Sequence, residues 1–144
     1  MYKKILIALS FDARVDKILH ARLKDLLQAN ENAEVHLIHA VEQIVAMGLA
    51  YGLSLNPELV ADLKQDAQKH MQRQAKVFAS KTAEVKLGSA RDVILEQLED
   101  LNADLVIVGS HVQSGLSTLL GSTANAICHN ATSDVLAVRT QKPD

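Results

Sequence analysis

Residues 106–123 read V-I-V-G-S-H-V-Q-S-G-L-S-T-L-L-G-S-T. An apolar run, Leu105 to Val108, stops at Gly109 and passes into a loop rich in Gly and Ser. Gly121-Ser122 then opens a helical segment. A strand, a small-residue loop and a helix start, in that order, present backbone N–H groups to an anion. Gly109, Gly115 and Gly121 can take a positive φ and admit a ligand close to the backbone. Ser110, Ser114, Ser117, Ser122 and Thr123 add hydroxyls. Two readings stand side by side: a phosphate cradle for a nucleotide, or a strand-to-helix connection that needs glycine to turn.

The rest of the chain extends the same pattern in both directions. Towards the C-terminus, Ala124, Ala126, Ile127 and Cys128 fall on the helix, and His129-Asn130 ends it with His129 suited to the helix C-terminus. Val135 to Val138 is a last apolar run, followed by a polar tail. Upstream, Gly88-Ser89 turns the chain, and Ser89 with Asp92 makes a capping pattern for a helix that buries Val93, Ile94, Leu98 and Leu101. Ala83 to Leu87 alternates, as an edge strand does. Asn56-Pro57-Glu58 starts a long helix with Leu59, Leu63, Ala67, Met71, Ala75 and Phe78 along one stripe. The segment from Glu42 to Leu55, apolar but broken by Gly48 and Gly52, is expected to be a loop or short broken helix lying over a pocket or an interface.

The chain opens with the continuous apolar run Ile5 to Leu9, the mark of a strand covered on both faces. Asp12 caps a helix carrying Val15, Ile18, Leu19, Leu23, Leu26 and Leu27 on one face, and Asn30-Glu31-Asn32 stops it. Ala33 to Val41 is a second strand. Its His36 and His39, three residues apart, fall on opposite faces, so they do not share a metal. Strand and helix alternate throughout, which calls for one doubly wound domain with a mostly parallel sheet of five strands.

Composition narrows the function. The chain has 144 residues, enough for one domain with a core of its own, and 3% aromatics, so that core is built from Leu, Ile, Val and Ala. A net charge of −2 argues against a general nucleic-acid binder, and the few aromatics leave little to stack on bases. The lone Cys128 excludes an internal disulfide and suits a reducing compartment. The apolar start is too short for a signal segment, and no stretch approaches a membrane span, so a cytoplasmic protein without membrane contact is expected.

The opening K-K-I-L-I-A-L, the strand V-H-L-I-H-A-V, the turn L-G-S-A, the run D-L-V-I-V-G-S-H and the ending G-S-T-A-N-A-I-C-H-N-A-T-S-D-V-L-A-V-R resemble the universal stress protein family over the whole chain. The resemblance implies a flavodoxin-like, Rossmann-like three-layer α/β sandwich with strand order 3-2-1-4-5. It also implies a homodimer paired through the last strand, here Asp134 to Arg139. One branch of the family binds ATP through Gly-x2-Gly-x9-Gly-Ser/Thr, and another lacks both motif and nucleotide. Here Gly109 and Gly121-Ser122 match the ends of that motif; Val112 stands at its second glycine, and the segment Gln113 to Leu120 holds eight residues rather than nine. Ser10 stands where the binding branch usually has Asp.

The resemblance places an adenine nucleotide, ATP or a relative with Mg²⁺ as companion ion, at the C-terminal ends of the first and fourth strands. Leu9 and Ser10 then line the nucleoside side, and Ala40 and Val41 the base. Gly109, Gly121, Ser122 and Thr123 hold phosphates, with His111 on the same loop. No P-loop and no Gly-x-Gly-x2-Gly after the first strand are present, and Ser10, Asp12 and a histidine at these spacings do not define a triad. A non-catalytic nucleotide-binding stress-response protein is the expectation. A nucleotide-free dimeric interaction module, its groove filled by side chains such as Val112, is the alternative, and a slow ATP hydrolase or nucleotide-transfer enzyme the third reading.

Overall fold

The computed structural model describes residues 1–42, 57–110 and 121–140. Five strands form one sheet: β1 (Lys4–Ala8), β2 (Glu34–Val41), β3 (Thr82–Leu87), β4 (Leu105–Ser110) and β5 (Asp134–Arg139). Its order is β3-β2-β1-β4-β5, with every pairing parallel. The helices α1 (Ala13–Ala29), α2 (Pro57–Phe78), α3 (Ala90–Leu101) and α4 (Ser122–Asn130) supply the crossovers. The flavodoxin-like sandwich with order 3-2-1-4-5 is therefore the observed fold.

Strand parity divides the interior in two. Ile5, Ile7, Val35, Leu37, Leu105 and Ile107 face α1 and α2, where Leu19, Leu23, Met71 and Phe78 complete one core. Leu6, Ile38, Val106 and Val108 face the other way, against Val93, Ile94, Leu98 and Ile127 of α3 and α4. The central strands are apolar without alternation because both of their faces are covered. The switch of helices from one face to the other lies between β1 and β4, where a doubly wound sheet opens a crevice at its C-terminal edge.

The ends of the elements have local causes. Asp12 accepts from the N–H groups of Arg14 and Val15, and so caps α1 as expected. Ser89 Oγ accepts from Asp92 N–H at the start of α3, while Glu42 accepts from Ala90 N–H there. Asn102 ends α3 at φ 52, the left-handed conformation that asparagine tolerates. The cap expected at Asn56 lies outside the described residues, as does the segment 43–55.

Two expectations change. The apolar stripe of α2 packs only in its later turns: Ala67, Met71 and Phe78 are buried, whereas Leu59 and Leu63 are 48% and 41% exposed. Asp16, a charged residue, is buried in α1 beside Leu19 and Leu23, on the face read as apolar.

Candidate functional site

A cavity of about 700 Å³ lies along the C-terminal edge of the sheet, over the ends of β1, β2 and β4 and the start of α4. Leu9, Ser10, Ala40, Val41, Gly109, Gly121, Ser122 and Thr123 all line it. Eight of the nine sequence-derived candidates thus converge on one cleft. The ninth, His111, lies outside the described residues, together with Val112 and Gly115.

The α4 end of the cavity offers backbone donors. Gly121 is the N-cap, at φ −61 and ψ 157, and has no side chain with which to cap the helix. The first N–H groups of the helix therefore have no N-cap side chain as acceptor, and the helix dipole favours an anion beside them. Gly121 N–H itself is engaged, donating to the buried Ser110 Oγ at 3.3 Å. That bond ties the end of β4 to the start of α4 across residues 111–120. Neither Gly109 nor Gly121 uses the positive φ that the sequence allowed them. Gly109 sits within β4, and a Cβ there would meet Thr140 Cγ2 at 3.3 Å and Val15 Cγ1 at 4.0 Å. Crowding against Thr140, just past β5, favours glycine here, whereas the Val15 distance is an ordinary contact.

At the β1–β2 end the ladder is cut short. Leu9 N–H donates to the Ile38 carbonyl at 2.9 Å, the last rung between these strands. The Leu9 carbonyl, next in line to receive Ala40 N–H, instead meets His39 Nδ1 at 2.7 Å. Among the described residues, no backbone bond joins Ala40 to Leu9. Alternate residues of a parallel strand turn their backbone groups to the same neighbour. Ala40 therefore turns its N–H and carbonyl as Ile38 does, but past the end of β1 and into the cleft. Val41 turns the other way, its carbonyl accepting from Gly88 N–H at 3.4 Å.

The side chains around this end include a cluster that sequence reasoning missed. Phe11 takes φ 68, a costly conformation for a bulky residue. Its ring stacks on His39, centroids 3.5 Å apart, and meets His70 edge-on at 4.6 Å. Burial pushes the His39 imidazole below the usual histidine range, with the Leu9 carbonyl partly offsetting the effect. A neutral ring donating from Nδ1 leaves Nε2 as an acceptor. Asp16 accepts from Ser10 N–H at 3.1 Å and Ser10 Oγ at 3.2 Å, and its other oxygen lies 3.5 Å from His70 Nε2. A charged residue at a buried-face position of α1 was the sequence signal for this cluster.

The cluster is not arranged for acyl transfer. Ser10 Oγ donates to a carboxylate rather than to a histidine, whereas a serine nucleophile needs the imidazole between them. Asp12 is occupied as the α1 cap. His36, on the opposite face from His39 as its spacing required, bonds Thr82 Oγ1 at 2.7 Å and Glu34 at 3.3 Å, a role within the sheet. Among the described residues, no group of three His, Cys, Asp or Glu side chains is placed to hold a metal.

A doubly wound sheet with its cleft at the switch point defines a class of α/β proteins that take ligands beyond the carboxyl ends of their strands. Within that class the chain belongs to the universal stress protein family, whose family model matches residues 1–139. It is 44% identical over 140 residues to Universal stress protein A homolog 2 of Coxiella burnetii, a match covering 96% of this chain and 95% of that one. Among solved structures, that of hypothetical protein MJ0577 superposes with TM-score 0.74 at 25% identity, covering 100% of this chain and 99% of the other. A universal stress protein solved in complex with cAMP gives TM-score 0.64 at 20% identity, covering 97% and 98%. Among the described residues, no helix is long and apolar enough to cross a membrane.

Proposed function

We propose that this chain is a cytoplasmic stress-response protein that binds an adenine nucleotide, ATP in the first instance, across the ends of β1 and β4. Occupancy, not turnover, is its output: the ligand shifts the balance between conformations or dimer contacts. The observation that carries this reading is the start of α4, whose N-cap Gly121 offers no capping side chain and which opens with Ser122 and Thr123 on a cavity large enough for a nucleotide. The backbone donor and acceptor of Ala40, turned into the same cleft, suit the edge of a purine ring. The cAMP complex of a relative in fold adds an adenine nucleotide to the chemistry such a cleft holds. Mg²⁺ would arrive with the phosphates, since the described side chains offer it no cluster.

A second reading has its own support. A Cβ at Gly109 would crowd Thr140 at 3.3 Å, which favours glycine there without a phosphate. β5 is an edge strand whose Val135, Leu136 and Ala137 are only partly covered. A nucleotide-free module dimerising through Asp134 to Arg139 would keep both features. Calorimetric titration with ATP separates the two. Binding that weakens in Ser122→Ala supports the nucleotide reading; absence of heat at several temperatures up to millimolar ATP leaves the interaction module.

A further inference from the structure

Asp16 is only 1% exposed, and one of its oxygens is well satisfied by Ser10. The other oxygen, Oδ2, and the facing His70 Nε2 are both buried, and neither has a hydrogen-bond partner among the described residues. They stand 3.5 Å apart, too far for a good direct bond. A buried carboxylate oxygen without a donor is costly, so the pair calls for a third group. A hydroxyl answers both atoms at once: it donates to Oδ2 and accepts from Nε2–H. A hydroxyl oxygen about 2.8 Å from each atom sits at the apex of a triangle on that base. Asp16 and His70 both line the cavity, from α1 and α2. Ser10 is poorly placed for the task, because its hydroxyl donates to Asp16 and accepts from Asp12 N–H at 3.3 Å.

We infer that Asp16 and His70 form the sugar-hydroxyl subsite of the cleft and select a ribonucleotide over its deoxy analogues. The inference rests on the nucleotide reading of the site. The phosphates lie at α4 and the ribose reaches between α1 and α2, where Asp16 accepts from a ribose hydroxyl that in turn accepts from His70. Both receiving atoms are shielded, so a neighbour must shift to admit the ligand. Phe11, held at φ 68 with its ring edge against His70, is the neighbour placed to do so.

The test is calorimetric titration of the wild-type chain with ATP, 2′-deoxyATP and 3′-deoxyATP, repeated on Asp16→Asn. Removing the hydroxyl held by the pair is expected to weaken wild-type binding about tenfold to a hundredfold. In Asp16→Asn, with its far-UV circular dichroism unchanged, the ratio between ATP and that analogue narrows towards one. ATP binding equal to that of both deoxy analogues overturns the subsite and leaves the nucleotide site standing; Asp16 and His70 then only tie α1 to α2. No binding of any of the three overturns both. The wild-type comparison decides the matter even where the variant fails to fold.

Discussion

At the scale of single residues, the contact between Phe11 and His39 sets backbone strain against ring stacking. Phe11 bears an unfavourable φ of 68, and its stack on His39 helps to hold it there. Truncation separates the two contributions. Phe11→Ala loses the stack and keeps the strain, whereas Phe11→Gly loses the stack and releases the strain. Urea unfolding is expected to find both variants less stable than the parent, with Gly above Ala by about 1 kcal/mol. His39 gives a pH dependence whose sign follows from its lowered folded-state value. Below the ordinary histidine pKa of 6.5 the unfolded chain binds the proton while the folded chain still excludes it. The contribution is therefore fully present above 6.5 and is lost as pH falls through the lowered folded value. Urea midpoints measured between pH 7.5 and 5 should fall for the parent and fall less for His39→Gln.

At the scale of elements, the helices are set by their caps and the strands by their apolar runs. Asp12 accepts two N–H groups at the start of α1, so Asp12→Ala should cost about 1 kcal/mol, read from the denaturation midpoint at unchanged slope. The strands were legible because Ile5 to Leu9 and Leu105 to Val108 are apolar without alternation, and only parallel strands covered on both faces need that. The caps at Asp12 and Ser89 were legible for the same local reason: one side chain answers orphan N–H groups a few residues away. The strand-end half of the site followed from the family resemblance and the strand order it implies. What escaped was the meeting of Asp16, Phe11, His39 and His70, since no periodicity links residues of α1, β2 and α2 that touch only after folding. Asp16 stands at a buried-face position of α1, and its place beside Leu19 is secured by Ser10 turning back to it. The glycines escaped in a subtler way. Gly109 invited a reading in terms of φ, yet its lack of a Cβ matters against Thr140.

At the scale of the whole molecule, the sheet has two edge strands, β3 and β5, and a cleft along its C-terminal edge. Thr140 N–H reaches the Ser110 carbonyl at 3.4 Å, so Val138 and Leu136 turn their backbone groups to β4. Val135, Ala137 and Arg139 turn theirs to the open edge. Ala137→Pro removes an outward donor and spares the ladder inside the subunit. Light scattering on a sizing column is expected to show the parent as a dimer and Ala137→Pro shifted to monomer with its circular dichroism retained. A variant that stays dimeric would move the interface away from β5. Nucleotide binding in the cleft is tested most directly by calorimetric titration of ATP into the parent chain and into Ser122→Ala. Saturable binding to the parent is expected, weakened severalfold in the variant as one phosphate donor at the start of α4 is lost. No binding to the parent up to millimolar ATP, or equal binding to both chains, would contradict it.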